Sequence, residues 1–521
     1  SARRITLRPP LMSDRLEALV LGEAPLTVEQ VRDVAVRGRP VSIGADPRDR
    51  LEAARKLVFE LAEMDIPVYG LNRGVGWNKD KTIDPSFFAS FNRNLILSHS
   101  AGVLPYASRE ETRAVMLARL HTLLAGHSGI QPAVAYRYAD FLNLGIHPLI
   151  PLRGSVGAAD ITTVSHIGLA MIGEGEVELA GHRLPASEAL RRTGLEPLVL
   201  GPKDGLAIVS SNALSAGTGA LAIGECADLM ATADLVYALS LEAIRGHVSP
   251  LEEAVHRVRP FPGQLKSVSG IREALDGSDL WNESDPDTIQ DPLSFRDVCQ
   301  IHGAVYDAIR YAENQLELHL NSSEDNPCVL PGERRILSNA NFESVSWTLG
   351  FEMLGVALHH VSKSACYRTI KLGTPAFTGL PRFLTADENA SIGFCTAQKT
   401  ITSLDAEIRQ LINPVSTDYY SLAGDIEDHA ANAPHVVAKT RAIAERLCYI
   451  LGIEALHAAQ AVDLRGGIKL GRGTEAVYRE VRSAVPFLDR DRILTNDIEM
   501  AGSLVRSGEL LMKAKAALTH I

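Results

Sequence analysis

Apolar and small residues form long stretches in this chain, and short glycine-rich segments separate them. In the first 200 residues, TVEQVRDVAVRG and DRLEAARKLVFELAEMDI carry apolar residues at helical spacing. RGVGWNKD and LRGSVGAAD interrupt these patterns, as glycine clusters do. VELAGHRLPASEALRRTG predicts a short hairpin followed by a helix. This part of the chain is therefore expected to form a smaller mixed domain.

The pattern changes near residue 205. LSAGTGALAIGECADLMATADLVYALSLEAIRG is almost uniformly apolar or small, and similar stretches recur at 341–366, 391–413 and 434–462. A helix that is apolar on every side must be buried by other helices, and long helices of this kind are typical of an extended bundle. We predict a mainly α protein with an N-terminal domain over 1–204 and a long helix-bundle domain over 205–521. The sparsely charged faces also predict a homo-oligomer.

The composition favours an enzyme with a small-molecule substrate. The 521 residues include 52 Lys plus Arg and 63 Asp plus Glu, a net charge of −11. This balance argues against a nucleic-acid binder and gives no reason to expect a membrane surface as partner. Six cysteines without a CxxC pair favour neither a disulfide scaffold nor a metal site. The N-terminal 20 residues lack a signal-peptide pattern, and no uninterrupted apolar run reaches the roughly 18 residues of a membrane span, so a cytoplasmic location is expected.

Two glycine-rich segments carry candidate chemistry. VYGLNRGVGWN (68–78) is typical of a mobile loop that presents the phenol of Tyr69 to a cavity, although a packed tyrosine in a surface turn has the same pattern. Its Gly-x-Gly spacing is weak evidence for a phosphate loop, because no Lys-Ser/Thr follows. In LRGSVGAADITTVSH, small residues precede Asp160, which we expect to cap the following helix.

The second half of the chain adds candidate polar residues. TIQDPLSFRDVCQIHGAV (288–305) predicts a helix from about Ser294, with Arg296 near its start. A guanidinium fork suits a carboxylate substrate, although a surface ion pair explains such an arginine equally well. Lys399 lies on a helical pattern and Glu427 in an acidic turn, where solvated and capping roles are common. NSSEDNPCVL and SNANFESVSW offer amide groups, which also stabilise turns.

Taken together and in this order, these segments resemble the family of histidine, phenylalanine and tyrosine ammonia-lyases and aminomutases. The similarity extends over roughly residues 20 to 515 and rests on YGLNRGVG, NLILSHSAG, GSVGAAD, KDGLAIVSSN, QDPLSFR, SEDNP, NANF, GLPRFL and GDIEDH. The resemblance implies a carbon–nitrogen lyase with the long central helix bundle of the histidine/phenylalanine ammonia-lyase fold. It also implies a homotetramer whose active sites are shared between subunits.

The resemblance also implies roles for individual residues. Tyr69 matches the loop tyrosine that removes the β-proton, and Arg296 matches the residue that binds the substrate carboxylate. Lys399 falls where phenylalanine lyases carry a lysine, and Glu427 matches an acidic residue near the substrate. We count Tyr69, Lys399 and Glu427 as catalytic candidates. The substrate-binding candidates are His99, Asn212, Gln290, Leu293, Arg296, Asn326 and Phe342.

The departures from the family concern its electrophile, a methylidene-imidazolone that forms from Ala-Ser-Gly. The serine loses water to become the exocyclic methylene, and the glycine lets the backbone cyclise. This chain has Gly157-Ala158-Ala159-Asp160, one residue shorter and without a serine, so no cofactor of this kind is expected. Two positions that serve the electrophile and its bound amine also differ: Leu293 replaces a tyrosine, and Ser210 stands where an asparagine is expected, with Ser211 and Asn212 following.

Within this family, the chain most resembles the branch that lacks the electrophile. The enzyme of that branch is ergothionase, which eliminates trimethylamine from ergothioneine to give thiourocanate. This implies an α,β-elimination without a methylidene-imidazolone, with Tyr69, Trp77 and Phe342 as candidates for an aromatic cage around the trimethylammonium group. Three alternatives remain open. They are a methylidene-imidazolone-dependent ammonia-lyase or aminomutase whose modified residue is written as alanine, a lyase for another betaine, and an inactive scaffold of the same fold.

Overall fold

The computed structural model describes residues 17–64, 66–282 and 289–519. Most of the N-terminal segment interpreted above, residues 1–16, lies outside the described residues, as does Thr288 at the start of the QDPLSFR segment. The chain divides into two compact units, and each is described separately. The first comprises the residues through Leu221 together with Leu316–Val345 and Thr417–Pro434, and the second comprises Ala222–Gln315, Ser346–Ser416 and the residues from His435 onward.

This division differs from the predicted boundary at residue 204. The chain leaves the first unit within one long helix, Ala213–Ile244, and returns to it twice through later segments. A pattern read in sequence order cannot reveal such returns, because the residues that complete the first unit lie more than 90 positions beyond its first stretch. The two units are therefore discontinuous in sequence.

The first unit combines helices with four small sheets. Two parallel strands pair at Leu19–Leu21 and Val41–Ile43, and antiparallel pairs form the other sheets. The antiparallel strands are Val103–Tyr106 with Pro151–Arg153, Ile146–Pro148 with Glu176–Leu179 and His182–Pro185, and Cys328–Leu330 with Arg335–Leu337. The helices are Val28–Ala35, Ala45–Glu63, Phe88–His99, Arg109–Leu123, Pro132–Leu144, Ile161–Met171, Ala186–Thr193 and Asp204–Val209. The predicted hairpin and following helix in VELAGHRLPASEALRRTG are confirmed.

Local sequence explains where two of these helices begin. Thr27 and Ser108 each form a capping box, in which the hydroxyl accepts the N–H of the residue three positions on, Gln30 or Glu111. The side chain of that third residue accepts the N–H of the cap in return. Both exchanges satisfy backbone donors that the first helical turn leaves without partners.

The described residues of the second unit form helices and connecting loops, and none of them belongs to a strand. The long helix Val298–Leu320 belongs to this unit up to Gln315, and its last residues, from Leu316, belong to the first unit. Val345–Leu372 and Ala433–Arg465 are the other long helices. The shorter helices are Glu253–Arg257, Pro262–Ala274, Leu293–Arg296, Pro375–Thr378, Ala397–Leu411, Arg472–Ala484, Leu494–Arg506 and Glu509–Thr519. The prediction of a mainly α protein with long buried helices is confirmed.

Two segments, Asp204–Ile244 and Ala433–Arg465, are long and apolar enough to span a membrane. The most apolar stretch of the first segment is 100% buried inside the protein, and that of the second is 83% buried. Side chains of a lipid-facing helix would instead point away from the rest of the chain. The burial therefore assigns both segments to the core of a folded bundle, as the all-round apolar pattern predicts.

Candidate active site

A cavity of about 570 Å³ lies within the first unit. Three separate parts of that unit form its wall: the loops and helices before Leu221, the turns between Leu316 and Val345, and the loop 417–434. Five of the candidate residues line it together: Tyr69, His99, Asn326, Phe342 and Glu427. The fold thus brings together residues that are up to 358 positions apart in sequence.

The Tyr69 loop has an ordered internal framework. The side-chain oxygen of Asn72 accepts the N–H of Val68 at 2.8 Å, and its amide donates to the carbonyl of Ile66 at 2.7 Å. The hydroxyl of Tyr69 accepts the N–H of Gly76 at 2.8 Å. Burial raises the pKa of the Tyr69 phenol, the Gly76 N–H opposes this shift, and the negative charge of Glu427 adds to it. A further group that lowers the pKa of this phenol must therefore come from the substrate or from other residues.

Glu427 is presented to the cavity by a tight turn. Leu422 and Glu427 exchange two backbone hydrogen bonds of 2.8 and 3.2 Å, and three of the four residues between them, Ala423, Gly424 and Asp425, have positive φ. Asp425 is held further because its carboxylate accepts the Ser421 hydroxyl at 2.8 Å. Consecutive positive φ values are characteristic of the turns that close a two-stranded bridge.

Trp77 packs on this turn and not in the cavity. A Cβ atom placed on Gly424 would lie 2.9–3.2 Å from three atoms of the indole, and the Trp77 side chain is 72% exposed. Its neighbours Gly76 and Asn78 line the cavity, whereas Trp77 does not. The expectation that Trp77 forms part of an aromatic cage is therefore wrong for this arrangement. Its indole instead links the Tyr69 loop to the turn that carries Glu427.

Replacing Gly424 with alanine is expected to separate these two loops. The added methyl group would overlap the indole of Trp77, so KM should rise several-fold, with a shift in tryptophan fluorescence. The matched control is Gly181→Ala, which adds the same strain at a positive φ of 79° with no atom within 4 Å of the new methyl group. Equal effects of both substitutions on KM would contradict the role of the contact.

The Gly157–Asp160 segment forms another part of the cavity wall, at Ala158 and Ala159. Gly157 has a φ of +80°, and a Cβ there would lie 2.9 Å from the backbone nitrogen of Ala433. Asp160 does not cap the following helix through its side chain. Its buried carboxylate instead accepts hydrogen bonds from the hydroxyls of Ser155 and Ser215 and from the N–H of Ser215, at 2.6–2.9 Å. Burial raises the pKa of Asp160 to about 6, against these hydrogen bonds.

The residues of this segment do not fit the family electrophile. The segment is held at both ends, because Asn432 donates its N–H to the carbonyl of Val156 at 2.9 Å and Asp160 donates to that of Ser211 at 2.7 Å. Ala158 and Ala159 have no hydroxyl to eliminate, and no glycine lies between them and Asp160. A methylidene-imidazolone therefore has no precursor at this wall of the cavity.

A buried carboxylate positions the backbone beside that wall. Glu324 accepts the N–H of Asn212 at 2.8 Å and the hydroxyl of Ser211 at 2.7 Å, and it pairs with Arg119 at 3.2 Å. Although burial alone would raise the pKa of Glu324, the contacts with His319, Arg119 and Asn212 lower it to about 2. Glu324 is therefore an anion that holds the start of the Ala213–Ile244 helix.

Asn212 and Asn326 form hydrogen bonds in this region. The side-chain amide of Asn212 donates to the carbonyl of the cavity residue Phe342. The side-chain oxygen of Asn326 accepts the N–H of Asn339 at 3.0 Å. The N–H of Asn326 donates to the hydroxyl oxygen of Ser210. Asn212 thus holds a residue of the cavity wall in place, whereas Asn326 and Ser210 line the cavity directly.

His99 is the last residue of the Phe88–His99 helix. Its Nδ1 lies 2.8 Å from the carbonyl oxygen of Leu95, so Nδ1 carries the proton and Nε2 is left as an acceptor. Burial lowers the pKa of His99, which the Leu95 carbonyl and the Glu427 charge partly oppose. The imidazole is therefore suited to accept a hydrogen bond from a ligand.

The other four candidates belong to the second unit. Gln290 precedes the one-turn helix Leu293–Arg296, and Lys399 lies in the helix Ala397–Leu411 with its side chain exposed. Arg296 donates to the side chain of Gln290, and its Nε is buried without a hydrogen-bond partner in the described part of the chain. Arg296 ends this short helix, and the long helix begins at Val298; the expectation of one helix from Ser294 is therefore corrected.

Comparison with known proteins now decides the family. The family model described as aromatic amino acid lyase matches residues 26–483. The chain belongs to the aromatic amino acid lyase family. This lyase is 37% identical over 494 residues to the histidine ammonia-lyase of Myxococcus xanthus, a match that covers 94% of this chain and 97% of the relative.

Solved structures share the fold of this lyase over nearly its whole length. Ergothionase from Treponema denticola, an ergothioneine-degrading enzyme solved with desmethyl-ergothioneine sulfonic acid, is 48% identical with a TM-score of 0.93. That match covers 95% of this chain and 100% of the other. Tyrosine aminomutase from Streptomyces globisporus is 33% identical with a TM-score of 0.92, covering 97% and 99%. The predicted fold and carbon–nitrogen lyase class are confirmed, as is the resemblance to ergothionase.

Several cavity residues of this lyase were not singled out from the sequence. Lys79, Ser338, Asn339, Glu343, Asp428 and His429 all line the cavity. Three of them adjoin residues that were identified: Glu343 follows Phe342, and Asp428 and His429 follow Glu427. The signal available in the sequence was this adjacency alone, because neighbouring side chains in a turn often face the same space.

Proposed function

We propose that this lyase eliminates trimethylamine from ergothioneine, the betaine of 2-thiohistidine, to give thiourocanate without a methylidene-imidazolone. The observation that carries the proposal is the cavity wall at Ala158 and Ala159, which offers no serine to form the electrophile. Ammonia is a poor leaving group, so lyases that release it must first alkylate the amine. A quaternary ammonium group leaves as a neutral tertiary amine and needs no such step. The 48% identity to ergothionase supports the same substrate.

The charge of the cavity supports a cationic substrate. The part of its wall that the structure describes includes three carboxylates, Glu343, Glu427 and Asp428, and one lysine, Lys79. A trimethylammonium group has no N–H to donate, so it is stabilised by diffuse negative charge and by aromatic faces. Tyr69 and Phe342 supply aromatic rings in the same wall.

In the proposed reaction, the phenolate of Tyr69 takes the β-proton of the substrate. The electrons of the C–H bond form the new double bond, and those of the C–N bond leave with trimethylamine. Glu427, on the opposite loop, polarises the imidazole-thione ring so that the ring accepts developing negative charge. His99, Asn326 and Phe342 contact the substrate, and Asn212 holds the carbonyl of Phe342 in place.

We propose that the candidates of the second unit join the cavity in a homotetramer with shared sites. Arg296 binds the substrate carboxylate through its guanidinium fork, supported by Gln290. Lys399 acts with Glu427 on the thione ring. Leu293, where relatives carry a tyrosine, presents an apolar side chain to the methyl groups. The enzyme is proposed to act in the cytoplasm on this small molecule alone.

Turnover of ergothioneine is the direct test. The purified enzyme is incubated with ergothioneine, histidine, the trimethylated betaine of histidine, and phenylalanine. The conjugated absorbance of the acrylate product and the release of trimethylamine or ammonia are followed. We expect trimethylamine and thiourocanate from ergothioneine, and much slower or absent release of ammonia from the amino acids.

Intact-mass spectrometry of the same preparation is the control for the electrophile. Cyclisation with dehydration removes two waters from the chain, so an unmodified mass is expected. A mass two waters lower, together with deamination of histidine or phenylalanine, would refute the proposal and favour an electrophile-dependent ammonia-lyase. Absence of turnover with all four substrates would favour an inactive scaffold, and preference for the histidine betaine would move the assignment to another betaine lyase.

A further inference from the structure

We propose that His429, oriented by Glu343, is a proton-transfer residue of this active site that accepts the substrate proton from Tyr69. This inference rests on the proposed elimination and extends it. It starts from a requirement of the chemistry: each turnover leaves one proton on the phenol of Tyr69, and that proton must leave before the next substrate reacts. The Tyr69 side chain is half-buried, and burial raises the pKa of its phenol.

The pair is fixed within the cavity wall. The Nδ1 of His429 lies 2.9 Å from Oε2 of Glu343, and both residues line the cavity with Tyr69. The other carboxylate oxygen, Oε1, accepts the N–H groups of Ser344 and Val345 at 2.8 and 3.0 Å, at the start of the Val345–Leu372 helix. Glu343 is therefore held from two sides.

This contact determines which nitrogen of His429 is available. A carboxylate only accepts hydrogen bonds, so Nδ1 carries a proton and Nε2 keeps its lone pair in the neutral ring. No residue in the described ranges hydrogen-bonds that Nε2. A carboxylate that orients an imidazole and stabilises its cation is the arrangement that general-base histidines use in proteins.

Exposure places His429 where a proton can leave. Its side chain is 64% exposed, against 32% for Glu343. Within one subunit, the residue thus lines the cavity and also reaches the exposed surface, as an exit for protons requires. Nε2 accepts the proton from the Tyr69 phenol through a bridging water, which restores the phenolate, and the imidazolium then passes the proton to bulk water.

The other ionisable groups of the cavity are less suited to this step. Carboxylates are too weak as bases to accept a proton from a phenol efficiently, and a lysine is already protonated at neutral pH. The second imidazole, His99, is half-buried, and burial lowers its pKa. The ionisable residues that line the cavity together with His429 are Tyr69, Lys79, His99, Glu343, Glu427 and Asp428.

The test is chemical rescue of His429→Gln. We expect kcat to fall about 10²-fold with little change in KM, and added imidazole to restore much of the lost kcat. Sodium chloride at equal ionic strength controls for salt. His182→Gln, which alters an exposed histidine outside the cavity, should leave kcat unchanged. The thermal midpoint of each variant checks that folding is intact.

Glu343→Gln tests the positioning role. The amide oxygen still accepts from Nδ1, so kcat should fall less than in His429→Gln with KM unchanged, and added imidazole should not restore it because the ring of His429 remains in place. A kcat for His429→Gln close to the wild-type value, or a deficit that imidazole leaves unchanged, would overturn the inference.

The wild-type enzyme separates this inference from the proposed function. If it releases ammonia from histidine and no trimethylamine from ergothioneine, the proposed function fails. The rescue ratio is then measured with histidine, and it decides the role of His429 by itself.

Discussion

Replacing Tyr69 with phenylalanine is expected to lower kcat/KM about 10³-fold, because the substitution removes the only oxygen of the side chain proposed to take the β-proton. The ring that packs in the cavity wall remains, so substrate binding should change little. Since burial raises the pKa of the phenol, the wild-type kcat/KM should rise with pH across the neutral and mildly alkaline range. Steady-state kinetics from pH 6 to 10 measure both effects.

The control for this substitution is Tyr106→Phe. Tyr106 ends the strand Val103–Tyr106 and lies outside the cavity. Its loss of a hydroxyl should leave both kcat/KM and the pH profile unchanged. A Tyr69→Phe enzyme that keeps more than about a tenth of the wild-type kcat/KM would argue for another base, since removing a positioned base normally costs at least that much.

Replacing Arg368 with methionine is expected to destabilise the protein by about 4 kcal/mol, because it leaves a charge unpaired in the core. Within the second unit, the guanidinium of Arg368 holds the carboxylate of Glu454 through two hydrogen bonds of 2.6 and 2.9 Å. Neither side chain is exposed. After the substitution, the hydroxyl of Ser240 still donates to that carboxylate at 2.9 Å. The midpoint of urea denaturation measures the loss.

Two comparisons make this prediction specific. Arg479→Met removes an arginine that pairs with Glu475 at the surface, where the side chains are 74% and 46% exposed, so its cost should stay below about 1 kcal/mol. The double variant Arg368→Met with Glu454→Leu removes both charges and should recover much of the stability. An equal loss of stability in the single and double variants would assign the effect to packing and not to the unpaired carboxylate of Glu454.

The helices were predictable because their cause is local. The apolar run at 214–246 corresponds to the helix Ala213–Ile244, and the run at 434–462 to Ala433–Arg465. Residues that are apolar on all sides of a helix have no stable environment other than a core of packed helices. The hairpin before Ala186 was equally accessible, since its turn residues and alternating pattern lie within a few positions of each other.

Other features depended on neighbours that are distant in sequence. Asp160 was expected to cap its helix, but its carboxylate is bound by Ser215, 55 positions away. Arg296 was expected near the start of one helix, whereas it ends a single turn before Val298. Local propensity describes the alternatives open to a short segment, and the tertiary contacts select among them.

The sequence by itself determined the family, the long buried helices and the absence of a serine between Gly157 and Asp160, because each of these is a property of consecutive residues. Only the tertiary structure decided that Tyr69, His99, Phe342 and Glu427 share one cavity, and that Trp77 packs on Gly424 outside it. It also paired Glu343 with His429 across 86 positions. The physical reason is that side chains from separate loops meet only when the chain folds back on itself, and one sequence read without homologues contains no signal of those meetings.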